Sequence, residues 1–354
     1  MPFYCTAMNS TENYIKQKRL DLYNSIKTIK KIYLDTNYWI KLRDAEKKGN
    51  STDKKLLDKL KELVRQKKCV IPISEITFWE ILKQSDFKTL KDSAILIDAF
   101  SQGISLITDD ERRRLEFLVY WRKKQNKSTY ESVELVWTKL SMNLLYNNLP
   151  QPEQFDLKIK FIEFIESITF FDMISIMEEN NDFKPFVFKD NVDFLNEAKE
   201  KYKHQNRSFK QLFLSELGGY IDCFKDSLNE TMEEMYYYDN GKRITEIEKS
   251  ERDQNGLTNM MYNLFKLNKA TTEFPTFSIL PELSASIRWN QSRKYVDGND
   301  TIDFLHATSA LPYFDFFFTE KELRTIISQQ KLDINYNCIV ESDINKVLEI
   351  LDTL

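Results

Sequence analysis

Histidine is nearly missing from this chain of 354 residues, which has only His204 and His306. That excludes a His-rich metal centre or an HExxH zinc site, so any metal must be held mainly by carboxylates. Cysteine is scarce as well. Cys5, Cys69, Cys223 and Cys338 stand apart with no CxxC pair, which removes zinc knuckles and a disulfide framework and leaves reduced thiols as the expectation. With 7 Gly and 8 Pro there is little turn punctuation. Stretches rich in Lys, Glu, Leu and Phe can therefore run as helices, and helix is expected to outweigh strand. No apolar run approaches the roughly 18 residues of a membrane span. The N-terminus lacks the apolar core of a signal peptide, so the expected location is cytoplasmic, with no membrane partner. The absence of a P-loop or GxGxxG segment argues against nucleotide-driven, flavin or NAD chemistry.

What is present suits a folded protein. Hydrophobic residues make up 42% and charged residues 30%, far from the signature of disorder, and the length implies two structural units or one domain with a large elaboration. The net charge of −4 is unevenly spread: residues 1–70 hold 17 Lys and Arg against 8 Asp and Glu, a net of +9, which leaves −13 for the rest. One end can attract phosphate while acids collect elsewhere.

Residues 13–29 space Ile15, Leu22, Ile26 and Ile29 among charges, as an amphipathic helix does. KIYLD (31–35) then reads as a strand ending in a carboxylate, and TNYWIKLRDAEKK reads as helix. A second helix follows over 52–66. CVIPI (69–73) is a further short strand, leading into the helix SEITFWEILKQ with Ser74 as N-cap. The β-α-α-β-α order implies a parallel sheet. From about 86 to 285 the strand signal mostly disappears and helical patterns take over, their aromatic and aliphatic residues read as core rather than as nucleic-acid stacking platforms. The α/β pattern resumes with NDTIDFLHATSAL as helix, FDFFF as strand, TEKELRTIISQQ as helix, NCIV as strand and SDINKVLEIL as helix. The expected organisation is an N-terminal helical extension (1–30), an α/β domain in two parts (31–100 and 296–354) and a helical insertion (101–295). Sheets tolerate such insertions because loop entropy grows slowly with length.

Four acids lie at the edges of these elements. Asp35 ends the first strand, where open α/β sheets place binding residues. Glu80 sits in its helix between Trp79 and Ile81, and a carboxylate on a partly buried face is costly unless it is paired, protonated or metal-bound. Asp303 precedes His306, Ala307 and Ala310 on one helix face, and Asp315 precedes Phe316–Phe318. Each also has an ordinary reading. Asp303 complements a helix dipole, with Asp300 or Thr301 as N-cap, and Asp315 is a turn residue. His306 is a packed helix histidine. Thr319 with Glu322 forms a capping box, leaving Glu320 as a further acid at the helix start.

Taken in order, YLDTNYWIKL, ISEITFWEIL and NDTIDFLHATSALPYFDFFFTEKEL resemble the successive motifs of PIN-domain nucleases: strand-Asp-Thr-Asn, Ser-x-x-Thr-x-x-Glu, Asp-x-x-His-Ala, and Asp-strand-Thr-acid. The resemblance covers about 31–84 and 296–354. It implies a PIN-like parallel sheet flanked by helices and split by the insertion, with Asp35, Glu80, Asp303 and Asp315 as the acidic cluster holding Mg2+ or Mn2+. It also implies roles for Asn37 beside the first acid and for Ser74 and Thr77 at the start of the Glu80 helix. Lys321 departs from the pattern, which has a further Asp there, so a second metal would rest on Glu320 or Asp300. The implied activity is hydrolysis of phosphodiester bonds, in RNA more than DNA, by a metal-bound water. A non-catalytic PIN-like scaffold and a DNA nuclease are the alternatives.

Basic residues near the second part of the domain are Arg288, Arg293 and Lys294, with Trp289 offering a stacking surface for nucleic acid. The insertion has the size to restrict which RNA enters, to bind an inhibitory protein or to form a homo-oligomer face, and the sequence does not choose among these. A host-restricting toxin or antiphage effector would suit such an architecture by analogy of fold.

Overall fold

A computed structural model describes residues 11–46, 51–127, 129–180, 185–187, 191–250, 255–270, 272–296 and 299–354. The chain is mostly helical, with a small parallel sheet flanked by helices. The strands are β1 (Lys30–Leu34), β2 (Cys69–Val70), β3 (Ile104–Leu106), β4 (Trp137–Lys139), β5 (Phe316–Phe318) and β6 (Ile339–Glu341). The four-stranded sheet runs β2-β1-β5-β6, every pair parallel, while β3 and β4 form an antiparallel pair. None of the helices in the described residues is long and apolar enough to cross a membrane.

The chain divides into two compact units, neither continuous in sequence. The sheet unit comprises 18–108, 133–189 and 305–354, and the helical unit comprises 1–17, 109–132 and 190–304. Residues 133–189, which the sequence pattern assigned to the helical insertion, therefore belong with the sheet.

In the sheet unit, β1 grades from an exposed Lys30 to a buried Ile32, Tyr33 and Leu34, and β5 is three consecutive buried phenylalanines. Both faces of the sheet are covered, as parallel strands require. The helix Thr52–Arg65 presents Leu56, Leu57, Leu60 and Leu63 as one buried stripe, and Ser51 caps it by accepting the Lys54 N–H at 3.1 Å. That stripe packs in one core with Trp39, Leu42, Phe318, Val347 and Leu351. The β3–β4 pair, which the sequence pattern did not show, extends the sheet beyond β2. Ile73 bonds Ile104 and Leu106 in parallel fashion, at 3.2 and 2.9 Å, which fixes the backbone just before Ser74.

The helical unit has its own core, built on Phe117, Leu217, Phe265, Phe274 and Phe277, so its aromatic residues serve packing as expected. Its largest helices include Asp109–Lys124, Phe209–Cys223, Lys225–Asn240 and Pro275–Trp289. The buried Glu116 carboxylate accepts the Thr276 N–H at 3.1 Å and hydroxyl at 2.5 Å, satisfying the first turn of Pro275–Trp289.

Candidate active site

Strand order determines where a site can form. The chain leaves β1 for β2 on one side, while β5 lies on the other, so the order reverses between β1 and β5 and opens a crevice at their C-terminal ends. Asp35, Thr36 and Asn37 follow β1 at this edge, and Thr319 and Glu320 follow β5. The Asp35 N–H donates to Phe318 O at 3.1 Å, tying the two strand ends together.

Asp35 is 5% exposed and is the N-cap of the helix Thr36–Ala45, accepting the Tyr38 N–H at 3.2 Å. The Thr319 hydroxyl supports it too. Burial pushes its pKa up to about 6, Glu320 adds to the rise, and His306, Thr319 and the Tyr38 N–H oppose it. Glu320 is exposed and accepts a hydrogen bond from the Asn37 amide. Asp35 is therefore a carboxylate whose ionisation the fold only partly compensates, beside a second acid and an amide open to solvent.

Beneath this edge runs a chain of polar side chains. Glu80 Oε2 lies 2.7 Å from His306 Nε2, and Glu80 Oε1 accepts from the Lys83 ammonium at 3.0 Å. His306, 1% exposed, meets the Tyr33 hydroxyl through Nδ1 at 2.6 Å, and that hydroxyl also bonds Ser74 Oγ at 2.6 Å and Thr77 Oγ1 at 3.2 Å. Burial opposes charge on both partners of the ion pair. Hydrogen bonding and the charge of His306 outweigh it for Glu80, whose pKa is held below the usual carboxylate range. Tyr33 and Glu80 outweigh it for the imidazole, whose pKa is pushed up. The Thr36 hydroxyl helps to hold the Glu80 charge, yet it is buried and makes no hydrogen bond of ordinary geometry.

Several expectations change here. Asp315 is not with the other acids. It pairs with the level of Lys31, where its carboxylate accepts the Lys31 N–H and the Lys30 ammonium, each at 2.9 Å. An acid that precedes a parallel strand sits at the N-terminal edge, four residues or ~13 Å of strand from Asp35. Ser74 occupies the N-cap position of Glu75–Ile81, but its hydroxyl makes no cap bond because Tyr33 takes it. No capping box forms at Thr319, since the N-cap of Lys321–Gln329 is Glu320 and the Thr319 hydroxyl serves Asp35. Asp300 is buried in an ion pair with Arg293 at 2.6 Å and accepts the Val296 N–H at 3.0 Å, so it is a structural acid of the helical unit. Arg288 is likewise committed to Glu216. Of the basic cluster, Trp289 and Lys294 remain at the surface. Asp303 is half-buried one turn before His306 on Asn299–Ala310, within the stretch assigned to the helical unit.

Three participants had not been singled out. Tyr33 reads in sequence as an ordinary strand aromatic, though a tyrosine in a central strand needs a partner for its hydroxyl. Thr36 stands in the Asp-Thr-Asn motif but was given no role there, and Lys83 carries no sequence signal. Among the described residues, no three of His, Cys, Asp and Glu are grouped so as to hold a metal ion. The oxygen donors that fit a hard divalent cation are Asp35 and Glu320, with the buried Thr36 hydroxyl beside Glu80. So small a set matches a cation that keeps most of its water. No family model matches the chain, and neither a curated protein nor a solved structure matches it.

Proposed function

We propose that the C-terminal edge of β1 and β5 is the active site of a divalent-metal-dependent phosphodiesterase of the PIN-like kind, acting on RNA. The observation that carries this reading is Asp35. It is a buried acid at the strand-order reversal, its pKa raised to about 6, next to Glu320 and Asn37. A bound Mg2+ or Mn2+ would supply an activated water and neutralise charge developing on the phosphoryl oxygens. The chain's own groups have distinct parts. Asp35 and Glu320 offer the oxygen ligands, Asn37 orients Glu320, Thr319 and the Tyr38 N–H hold Asp35 in place, and the His306 pair fixes Glu80 alongside. Asp303, which the resemblance counts with these acids, belongs to the helical unit.

The test is cleavage of labelled single-stranded and structured RNA with Mg2+ or Mn2+, with matching DNA alongside. The wild type is expected to cut RNA, to stop on chelation, and to lose at least ~100-fold in rate on Asp35→Asn. Equal inertness of wild type and variant on every substrate would instead favour a non-catalytic scaffold. The observation on that side is that both Glu80 oxygens are already engaged, by His306 and Lys83.

A further inference from the structure

Glu80 is gripped from two sides that differ in kind. His306 is 1% exposed and is tied through its other nitrogen to Tyr33, so it is fixed. The Lys83 side chain is 35% exposed and lies just past the end of Glu75–Ile81, its ammonium 3.0 Å from Glu80 Oε1 at the end of a flexible stem. A carboxylate already held by His306 keeps its position when the lysine leaves. The guanidinium groups on the helices that flank the site are engaged otherwise. Arg43 bonds Asp44, Gln84 and Ser93, and Arg324 bonds the Val340 carbonyl and Glu341. Lys83 is thus a half-exposed cation resting on an acid of the site that has a second, immobile partner.

We propose that Lys83 is a phosphate-binding residue of this site, resting on Glu80 and passing to a non-bridging oxygen of the RNA backbone when the strand binds. The inference rests on the nuclease reading above and adds a substrate contact to it. An ammonium is a compact point charge that exchanges one oxygen partner for another without the planar geometry a guanidinium demands. On binding, Glu80 gives up one hydrogen bond and keeps the other.

The experiment measures binding of a short labelled single-stranded RNA, by fluorescence anisotropy over a series of salt concentrations, to Asp35→Asn protein, which holds the strand without cutting it. Lys83→Met on that background should weaken binding and flatten the slope of log affinity against log salt by about 0.7, the value of one phosphate contact on a single strand. Lys83→Arg should restore the slope. Lys68→Met serves as a control, because Lys68 bonds through its carbonyl to the start of β1 at the opposite edge of the sheet and removes the same charge. An unchanged slope with Lys83→Met, or an equal loss with Lys68→Met, overturns the proposal while leaving the nuclease reading intact if the wild type still cleaves RNA. A parent protein that neither binds nor cuts RNA overturns both. Thermal melts of the Lys83 variants, which alter a half-exposed side chain, confirm that a loss of binding is not a loss of fold.

Discussion

Asp35 shows a single residue held at a cost to the fold. Its carboxyl has an ordinary pKa near 3.8 and is pushed to about 6, chiefly by burial. Below about pH 4 the group is neutral in folded and unfolded chain alike and imposes no penalty. As pH rises through 6 the folded state must hold a charge it solvates poorly, which costs on the order of 2–3 kcal/mol by neutral pH. Asparagine caps a helix as well as aspartate does. Asp35→Asn should therefore melt at a higher temperature than wild type at neutral pH, with the gap closing as pH falls towards 4. A variant that melts lower at both pH values would show that the carboxylate is a structural necessity. Mn2+ should raise the wild-type melting temperature and leave that of the variant unchanged.

At the scale of elements, the Tyr33–His306 bond joins the central strand to the helix Asn299–Ala310 and links the Ser74 and Thr77 hydroxyls to Glu80. Tyr33→Phe removes a hydroxyl with three partners and should cost about 1–3 kcal/mol in urea denaturation. His306→Phe leaves Glu80 without its buried partner and should cost about 3 kcal/mol. Because both act on one network, the double variant should cost less than the sum by roughly 1 kcal/mol; additive losses would mean the network does not act as a unit. The elements themselves were unevenly legible. β1, β2, β5 and β6 announce themselves as apolar runs between helical patterns, whereas β3 and β4 are three residues each and pair across some thirty intervening residues, so no turn signal marks them. The entry to β3 also needs left-handed backbone at Gln102 and Gly103, with φ of +54° and +70°, of which only the glycine is visible as a hint. Ser74 and Thr319 look like helix caps because local pattern shows only local partners, and each hydroxyl instead went to a side chain from another strand.

For the molecule as a whole, the acids of the candidate site were readable in sequence only as far as the order of motifs reaches. Asp35, Asn37, Glu80 and His306 come together in the sheet unit, and Glu320 joins them from the end of β5. Asp315 could have been set aside earlier, since in a parallel sheet an acid before one strand and an acid after its neighbour stand at opposite edges. The charge pattern misled for a related reason. Arg288 and Arg293 form a conspicuous basic pair in sequence, yet each is taken up by an acid within the helical unit, because arginines that bind phosphate and arginines that hold a helical unit together look alike in sequence. The most direct test of the account compares Glu320→Gln with Asp315→Asn in Mn2+-dependent RNA cleavage. The edge-of-sheet geometry predicts that Glu320→Gln falls towards the level of Asp35→Asn while Asp315→Asn keeps most of the wild-type rate; an inactive Asp315→Asn protein of normal stability beside a fully active Glu320→Gln protein would contradict it.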